Sequence, residues 1–214
     1  MKDLAYEAME KAKRQNTSKN PKGAIKTLED YLLTDPDNYK ARTLLSNILI
    51  YDLDKFDLGI FHLEVVLERD PDNMEAMKAK ATALSSLKKF NKKSDAVFRR
   101  LVVLDPSADV FNAYGRFLRL QMLDFKKSAE FYLKAIKLEP NNCEYHINYA
   151  LVLLNDLRDY VPAKKELETI IMLDPSNEKA KNNLAKLLRK HFDSEGNLKK
   201  GLVHQPKKLR PVRE

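Results

Sequence analysis

The stretches Asp35-Pro36-Asp37-Asn38, Asp70-Pro71-Asp72-Asn73, Asp105-Pro106-Ser107-Ala108, Glu139-Pro140-Asn141-Asn142 and Asp174-Pro175-Ser176-Asn177 decide the fold. Their acid-proline dipeptides recur at steps of 35, 35, 34 and 35 residues. A fixed period of this size marks one supersecondary unit that cannot bury its apolar face alone, so the copies stack into an elongated solenoid instead of closing around one core. Function is then to be sought on a surface.

Small residues recur before each proline at Ala24, Gly59, Ser94, Ser128 and Ala163, and a second series runs Ala12, Ser46, Ala81, Gly115, Ala150 and Ala185. Two small positions per unit imply two helices in close contact. Apolar residues three and four apart, such as Phe111, Tyr114 and Leu118, put one face of each helix inward. Aromatic residues near the start of the second helix, Phe56, Phe90, Phe125 and Tyr160, are expected to fill the space between neighbouring pairs. Each proline ends a helix by driving its predecessor out of helical geometry. Asn38, Asn73, Asn142 and Asn177, two residues further on, can cap the next helix. Glu75, Glu144 and Glu178 then sit in first turns, where the helix dipole favours an acid. The fourth unit lacks the asparagine, which leaves Ser107 or Asp109 for the cap.

With those residues in view the chain resembles the tetratricopeptide repeat family. The second half of the family pattern appears as Ala24-Leu28-Tyr31-Pro36, Gly59-Leu63-Val66-Pro71, Ser128-Tyr132-Ala135-Pro140 and Ala163-Leu167-Ile170-Pro175. Phe111-x2-Tyr114-Gly115-x2-Leu118 is the best copy of the first half. There is no tryptophan, Lys80 stands at a usually apolar place, and most units carry one residue beyond the family's 34, which lengthens a turn. The resemblance implies an all-α, right-handed superhelical solenoid of helix-turn-helix repeats that binds protein segments. The repeats read as about 5–38, 39–73, 74–108, 109–142 and 143–177, followed by a cap helix over 178–192 with a polar outer face; together they make a solenoid over 4–192. A basic, flexible tail is expected over 193–214.

The chain has 214 residues, only five glycines, a single cysteine, Cys143, and a net charge of +8. About eleven helices in one array account for it without a second domain. No apolar run approaches the roughly 18 residues of a membrane span, no signal core precedes the first helix, and a lone cysteine makes no internal disulfide, so a cytoplasmic protein is expected. Asn16-Thr17-Ser18 matches a glycosylation sequon but has no secretory signal to give it meaning.

Catalytic constellations lack parts. No two of His62, His146, His191 and His204 stand three or four apart, and Cys143 with His146 supplies only half a zinc site, so His146 reads as a core residue. Asp52, Asp54 and Asp57 lack the glycine and distal glutamate of a calcium loop. Gly196 to Gly201 has phosphate-loop spacing, but Leu202 and Val203 replace its Lys and Ser/Thr. Neither an enzyme nor a cofactor is expected.

Two surfaces remain. Lysines gather at turns between the helices of a pair, and Lys88, Lys89, Lys92, Lys93, Lys126 and Lys127 form a candidate basic edge, since a cation opposes the dipole at a helix N-terminus and gains nothing there. With the tail lysines and arginines, that edge suits a polyanion or nucleic acid, the alternative function. The groove that the family lines with first helices would carry Asn112, Arg116, Arg119, Asn148, Leu151, Lys179, Asn183 and Lys186. Some family members hold a partner's C-terminal carboxylate with Lys, Asn and Arg spread over three first helices; of that clamp Asn148 and Lys179 match. The resemblance implies a scaffold or adaptor for protein or peptide partners, and Arg116 and Lys179 on either side of Asn148 predict a preference for acidic segments.

Overall fold

The computed structural model describes residues 3–87 and 91–199. It forms two compact units, Met1–Asp105 and Pro106–Glu214. The first contains the helix pairs α1 (Leu4–Thr17) and α2 (Pro21–Leu32), α3 (Tyr39–Tyr51) and α4 (Phe56–Arg69), α5 (Met74–Ser86) and α6 (Asn91–Leu104). The second contains α7 (Ala108–Phe117) and α8 (Phe125–Leu138), α9 (Cys143–Leu151) and α10 (Tyr160–Leu173), and a last helix α11 (Glu178–His191). Apart from an isolated bridge between Phe192 and Leu198, no extended pairing occurs among the described residues. The chain is an all-α solenoid of helical repeats.

The acid before each proline has a local task. Asn38 accepts from the Ala41 amide through Oδ1 and donates through Nδ2 to the Asp35 carboxylate at 3.0 Å, which also accepts from the Tyr31 hydroxyl. These donors, Asn38 first, hold the Asp35 carboxyl below the usual range. Asn73 donates to Asp70 and Asn142 to Glu139, each at 3.0 Å, while capping the amides of Ala76 and Glu144. Asn177 caps Ala180. The acid thus orients the capping side chain of the next helix. The fourth unit departs from this. Ser107 stands at the cap, but its hydroxyl is buried without a partner, and Asp109 accepts from the Tyr145 hydroxyl at 2.7 Å. Neither side chain caps α7.

Small residues set the close approaches within pairs. Ser46 donates its hydroxyl to the Gly59 carbonyl at 2.8 Å, and a Cβ on Gly59 would run into Ile50. Between α7 and α8 the roles reverse: Ser128 donates to the Gly115 carbonyl at 2.8 Å, and a Cβ on Gly115 would lie 3.0 Å from the Tyr132 ring. Around these contacts Leu28, Leu45 and Leu63 in the first unit and Tyr132, Val152 and Ile170 in the second are almost completely buried. Each such side chain stabilises by roughly 1.5–3 kcal/mol relative to exposure. Phe56, Phe125 and Tyr160 pack against these cores as expected, whereas Phe90 lies outside the described residues. Lys80 reaches Glu64 at 2.9 Å, which lets a cation occupy a largely covered position. Ala185, placed by its period among the buried small residues, is exposed on α11.

In the four turns that lie among the described residues, the extra residue is absorbed where the pair turns. Lys19, Asp54, Leu123 and Arg158 occupy equivalent places with φ of 60°, 53°, 55° and 55°. Ahead of the last two, α7 and α9 widen into π geometry over Leu118–Met122 and Val152–Leu157. The amide of Asp124 then reaches back to Leu118 and that of Asp159 to Leu153.

Beyond α11 the chain folds back. Phe192 is buried, and Leu198 packs against the same core. Asp193 accepts from the amides of Glu195 and Asn197, Gly196 turns the chain at φ +83°, and the Lys199 amide donates to the His191 carbonyl. The tail expected from residue 193 therefore begins as an ordered strap through Lys199, because Phe192 and Leu198 have core to cover. The rest of the expected tail, 200–214, lies outside the described residues.

Candidate functional site

The predicted groove residues fall into two groups within the second unit. Between α7 and α9, Asn148 donates to Asn112 at 3.0 Å and Asn112 donates to Glu144 at 3.4 Å. Arg119 is bound to Asp156 at 2.6 Å, with side chains only 18% and 11% exposed. These groups are spent on one another. Arg116 is exposed and lines no part of the cleft described next. Of the residues expected to clamp a carboxylate over three first helices, Asn148 is bonded to Asn112, Arg116 stands apart, and Lys179 alone lies in that cleft.

Leu151, Lys179, Asn183 and Lys186 do come together, in a cleft of about 720 Å³ between the end of α9 and α11. Lys179, Asn183, Lys186 and Lys190 follow one another at three- and four-residue steps, so they share one face of α11. Arg158, carried on the left-handed turn after α9, adds a fourth cation. No carboxylate lines the cleft, and none of these four cations forms an ion pair among the described residues. Leu151, Leu154 and Leu187 supply its apolar lining. Leu151, Leu154, Lys179 and Asn183 also border an adjoining apolar slot of about 160 Å³ among Ile147, Ala150, Leu167 and Ile170.

Tyr160 and His191 stack at 3.8 Å and 20° and border the same cleft. The His191 Nδ1 is buried without a hydrogen-bond partner. Burial, reinforced by Lys190 and Lys199, pushes its pKa below the ordinary histidine range. Sequence reasoning missed Arg158, Lys190, Tyr160 and His191. Lys190 was within reach, since it continues the spacing of Lys179, Asn183 and Lys186 by one more step.

The other candidates are less concentrated. Lys92, Lys93, Lys126 and Lys127 are exposed in the first turns of α6 and α8, and Lys127 pairs with Asp124 at 3.1 Å; Lys88 and Lys89 lie outside the described residues. The turn from α3 to α4 is acidic instead, with Asp52 accepting from Asn16 and with Tyr51, Leu58 and Phe61 exposed around Asp54 and Asp57. His146 is a buried structural residue. Its Nδ1 lies 2.6 Å from Glu166 and its Nε2 2.9 Å from the Pro140 carbonyl, two acceptors that leave no ring nitrogen for a metal shared with Cys143. No helix of the described residues is long and apolar enough to cross a membrane.

No family model matches the sequence, and no curated protein matches it. Solved structures do. MamA from Desulfovibrio magneticus RS-1, from residue 41 to its end, is 19% identical with a TM-score of 0.72, covering 83% of this chain and 99% of that one. TTC0263, a thermophilic TPR protein of Thermus thermophilus, is 14% identical with a TM-score of 0.62, covering 86% and 98%. YrrB, described as a TPR protein with an unusual peptide-binding site, is 14% identical with a TM-score of 0.65, covering 82% and 89%. At these identities the likeness speaks for architecture, and it agrees with the helix pairs, the small-residue contacts and the capped prolines: the chain has the tetratricopeptide repeat fold.

Proposed function

We propose that the protein is an interaction scaffold whose second unit binds an acidic peptide segment in the cleft between α9 and α11. The observation that carries this reading is the set of four cations, Arg158, Lys179, Lys186 and Lys190, gathered without carboxylates beside an apolar slot. Cations held together without counter-charges repel one another, and an anionic ligand removes that cost while forming charge-assisted hydrogen bonds. The slot adds a place for one apolar side chain. Exposed ion pairs contribute only about 0–1 kcal/mol each, so several contacts must act together, and an affinity on the order of micromolar, about −8 kcal/mol, is expected.

Fluorescence anisotropy with labelled peptides provides the test. A peptide with two or three acids around one leucine should bind at least tenfold more tightly than its Gln/Asn counterpart, and Arg158→Ala with Lys186→Ala should abolish the difference. Equal binding of acidic and neutral peptides, or an unaffected double variant, would overturn the assignment. The groups that sequence spacing grouped with this groove, Asn112, Arg116 and Arg119, should be dispensable for binding.

A further inference from the structure

The cleft is polarised along α11. On that helix its apolar slot is bordered by Asn177, Lys179, Ala180 and Asn183 and by no later residue. Lys186, Lys190 and Arg158 line the cleft but not the slot. Tyr160, two residues after Arg158, stacks on His191, which brings Arg158 to the last turn of α11 and not to the first. One end therefore offers an apolar hole beside a single lysine, and the other gathers three cations; no carboxylate lines either end.

Resting on the peptide-cleft reading above, we propose that the ligand is an extended segment with a fixed register: one aliphatic or phenyl side chain fills the slot, and acids two and four residues away reach Lys186 and Lys190, with Arg158 beside them. The spacing follows from helix geometry. The middle of the Lys179–Asn183 step lies five residues from Lys186 and nine from Lys190, about 8 and 14 Å at a rise of about 1.5 Å each. An extended chain spans those lengths in about two and four residues. Both offsets are even, so the apolar anchor and the two acids leave the same face of the strand. Width selects a strand over a helix. A volume of about 720 Å³ spread along the roughly 17 Å from Lys179 to Lys190 leaves a passage about 7 Å across, narrower than the ~10–12 Å of a helix with its side chains. A short helical ligand would also have to nucleate before it binds. The slot sets the size of the anchor. A dry cavity of about 150 Å³ holds benzene, so a slot of about 160 Å³ admits Leu, Met or Phe but not Trp.

A spacing series measured by fluorescence anisotropy against the full chain tests the register. Each peptide carries one leucine and an Asp-x-Asp pair in a Gly/Ser background, with the nearer acid one to six residues from the leucine, in both chain directions and with Asn counterparts. In one direction Leu-x-Asp-x-Asp should bind best. Moving the acid pair one residue nearer, which turns both acids to the other face, should weaken binding at least fivefold, as should tryptophan in place of the leucine. Two variants separate the ends. Ile147→Trp fills the slot and should remove the advantage of leucine over serine while keeping the preference for acids; Lys186→Ala with Lys190→Ala should do the reverse. Circular dichroism establishes that both remain helical, and if Ile147→Trp does not, Leu154→Ala replaces it, since a widened slot should admit the tryptophan anchor. Equal affinity at every spacing, an optimum with the acids at odd offsets or at the five and nine residues of a helical ligand, or a slot variant with unaltered anchor preference would overturn the register. If acidic peptides still outbind their neutral counterparts in those cases, the peptide-cleft reading stands without it; if none does, both fall.

Discussion

The α7–α9 and α9–α11 faces of the second unit are built from the same kinds of residue, asparagines and long cations on first helices, yet one is closed and the other open. In the closed face Arg119 has Asp156, and Asn112 lies between Glu144 and Asn148. In the open face Lys179, Lys186 and Lys190 share the cleft with Asn155, Arg158, Tyr160, Asn183, His191 and leucines, and no carboxylate lines it. The presence or absence of an acid one helix away decides whether a groove residue holds the fold together or is left for a ligand. Position in the repeat does not.

Removing one half of the closed pair should have the largest effect on stability. Asp156→Ala leaves the Arg119 guanidinium largely buried and without its carboxylate, and breaking a buried pair in this way costs about 3–5 kcal/mol. Urea unfolding should show that loss for Asp156→Ala, while Lys186→Ala changes stability by no more than about 0.5 kcal/mol. Comparable losses in the two variants would erase the distinction between the faces. Next in size is Asn112→Ala, which deprives the Asn148 amide of its acceptor and should cost about 1–3 kcal/mol, with peptide affinity unchanged when both are measured on the same preparation.

A smaller effect is expected at the strap. Leu198→Ser removes an apolar cover next to α11 and should cost on the order of 1 kcal/mol; hydrogen exchange should show faster opening of α11 but not of α7. This sharpens the contrast, because the open face depends on a helix secured on one side by a short strap. The smallest effect concerns pH. The folded-state pKa of His191 is depressed by burial and by Lys190 and Lys199, and that of His62 by burial and Arg42. Both rings therefore favour the unfolded chain when protonated. Their contribution is fully present above the ordinary histidine pKa of about 6.5 and declines as pH falls toward the lowered values. Thermal midpoints should drop modestly from pH 7 to pH 5, and less in His62→Gln with His191→Gln; an unchanged slope in that double variant would exclude these two histidines as the cause.

Much of the fold could be read from the chain because it rests on local chemistry repeated in register. A proline that stops one helix and an asparagine that starts the next act within a few residues, so Asn38, Asn73, Asn142 and Asn177 declare themselves. Ser107 shows the limit: residue type and position suit a cap, but the hydroxyl is buried and unpaired. The π-widened ends of α7 and α9 were not legible, since an extra residue in a period does not say which turn absorbs it. The site was read only in part. Arg119 and Asp156 are 37 residues apart, and their pairing depends on two helices lying side by side, each widened where its residue stands. Arg158 was missed because its place in the cleft comes from a left-handed turn, a backbone state that its residue type does not announce.

Helices of such similar pattern are liable to choose a wrong neighbour while the chain is still collapsing, and the mirrored contacts at Ser46–Gly59 and Gly115–Ser128 act against that error. If α3 met α8, two hydroxymethyl groups would compete for one close approach. If α7 met α4, two glycines would face each other, and neither carbonyl would receive a hydroxyl. In these two pairs, fidelity of assembly is thus written into which member carries the serine. Exchanging the roles in one pair, Gly115→Ser with Ser128→Gly, would make α8 an acceptable mate for α3, and refolding from denaturant should then yield more slowly resolving, misassembled chains than the parent does; identical refolding kinetics would show that other contacts do the sorting.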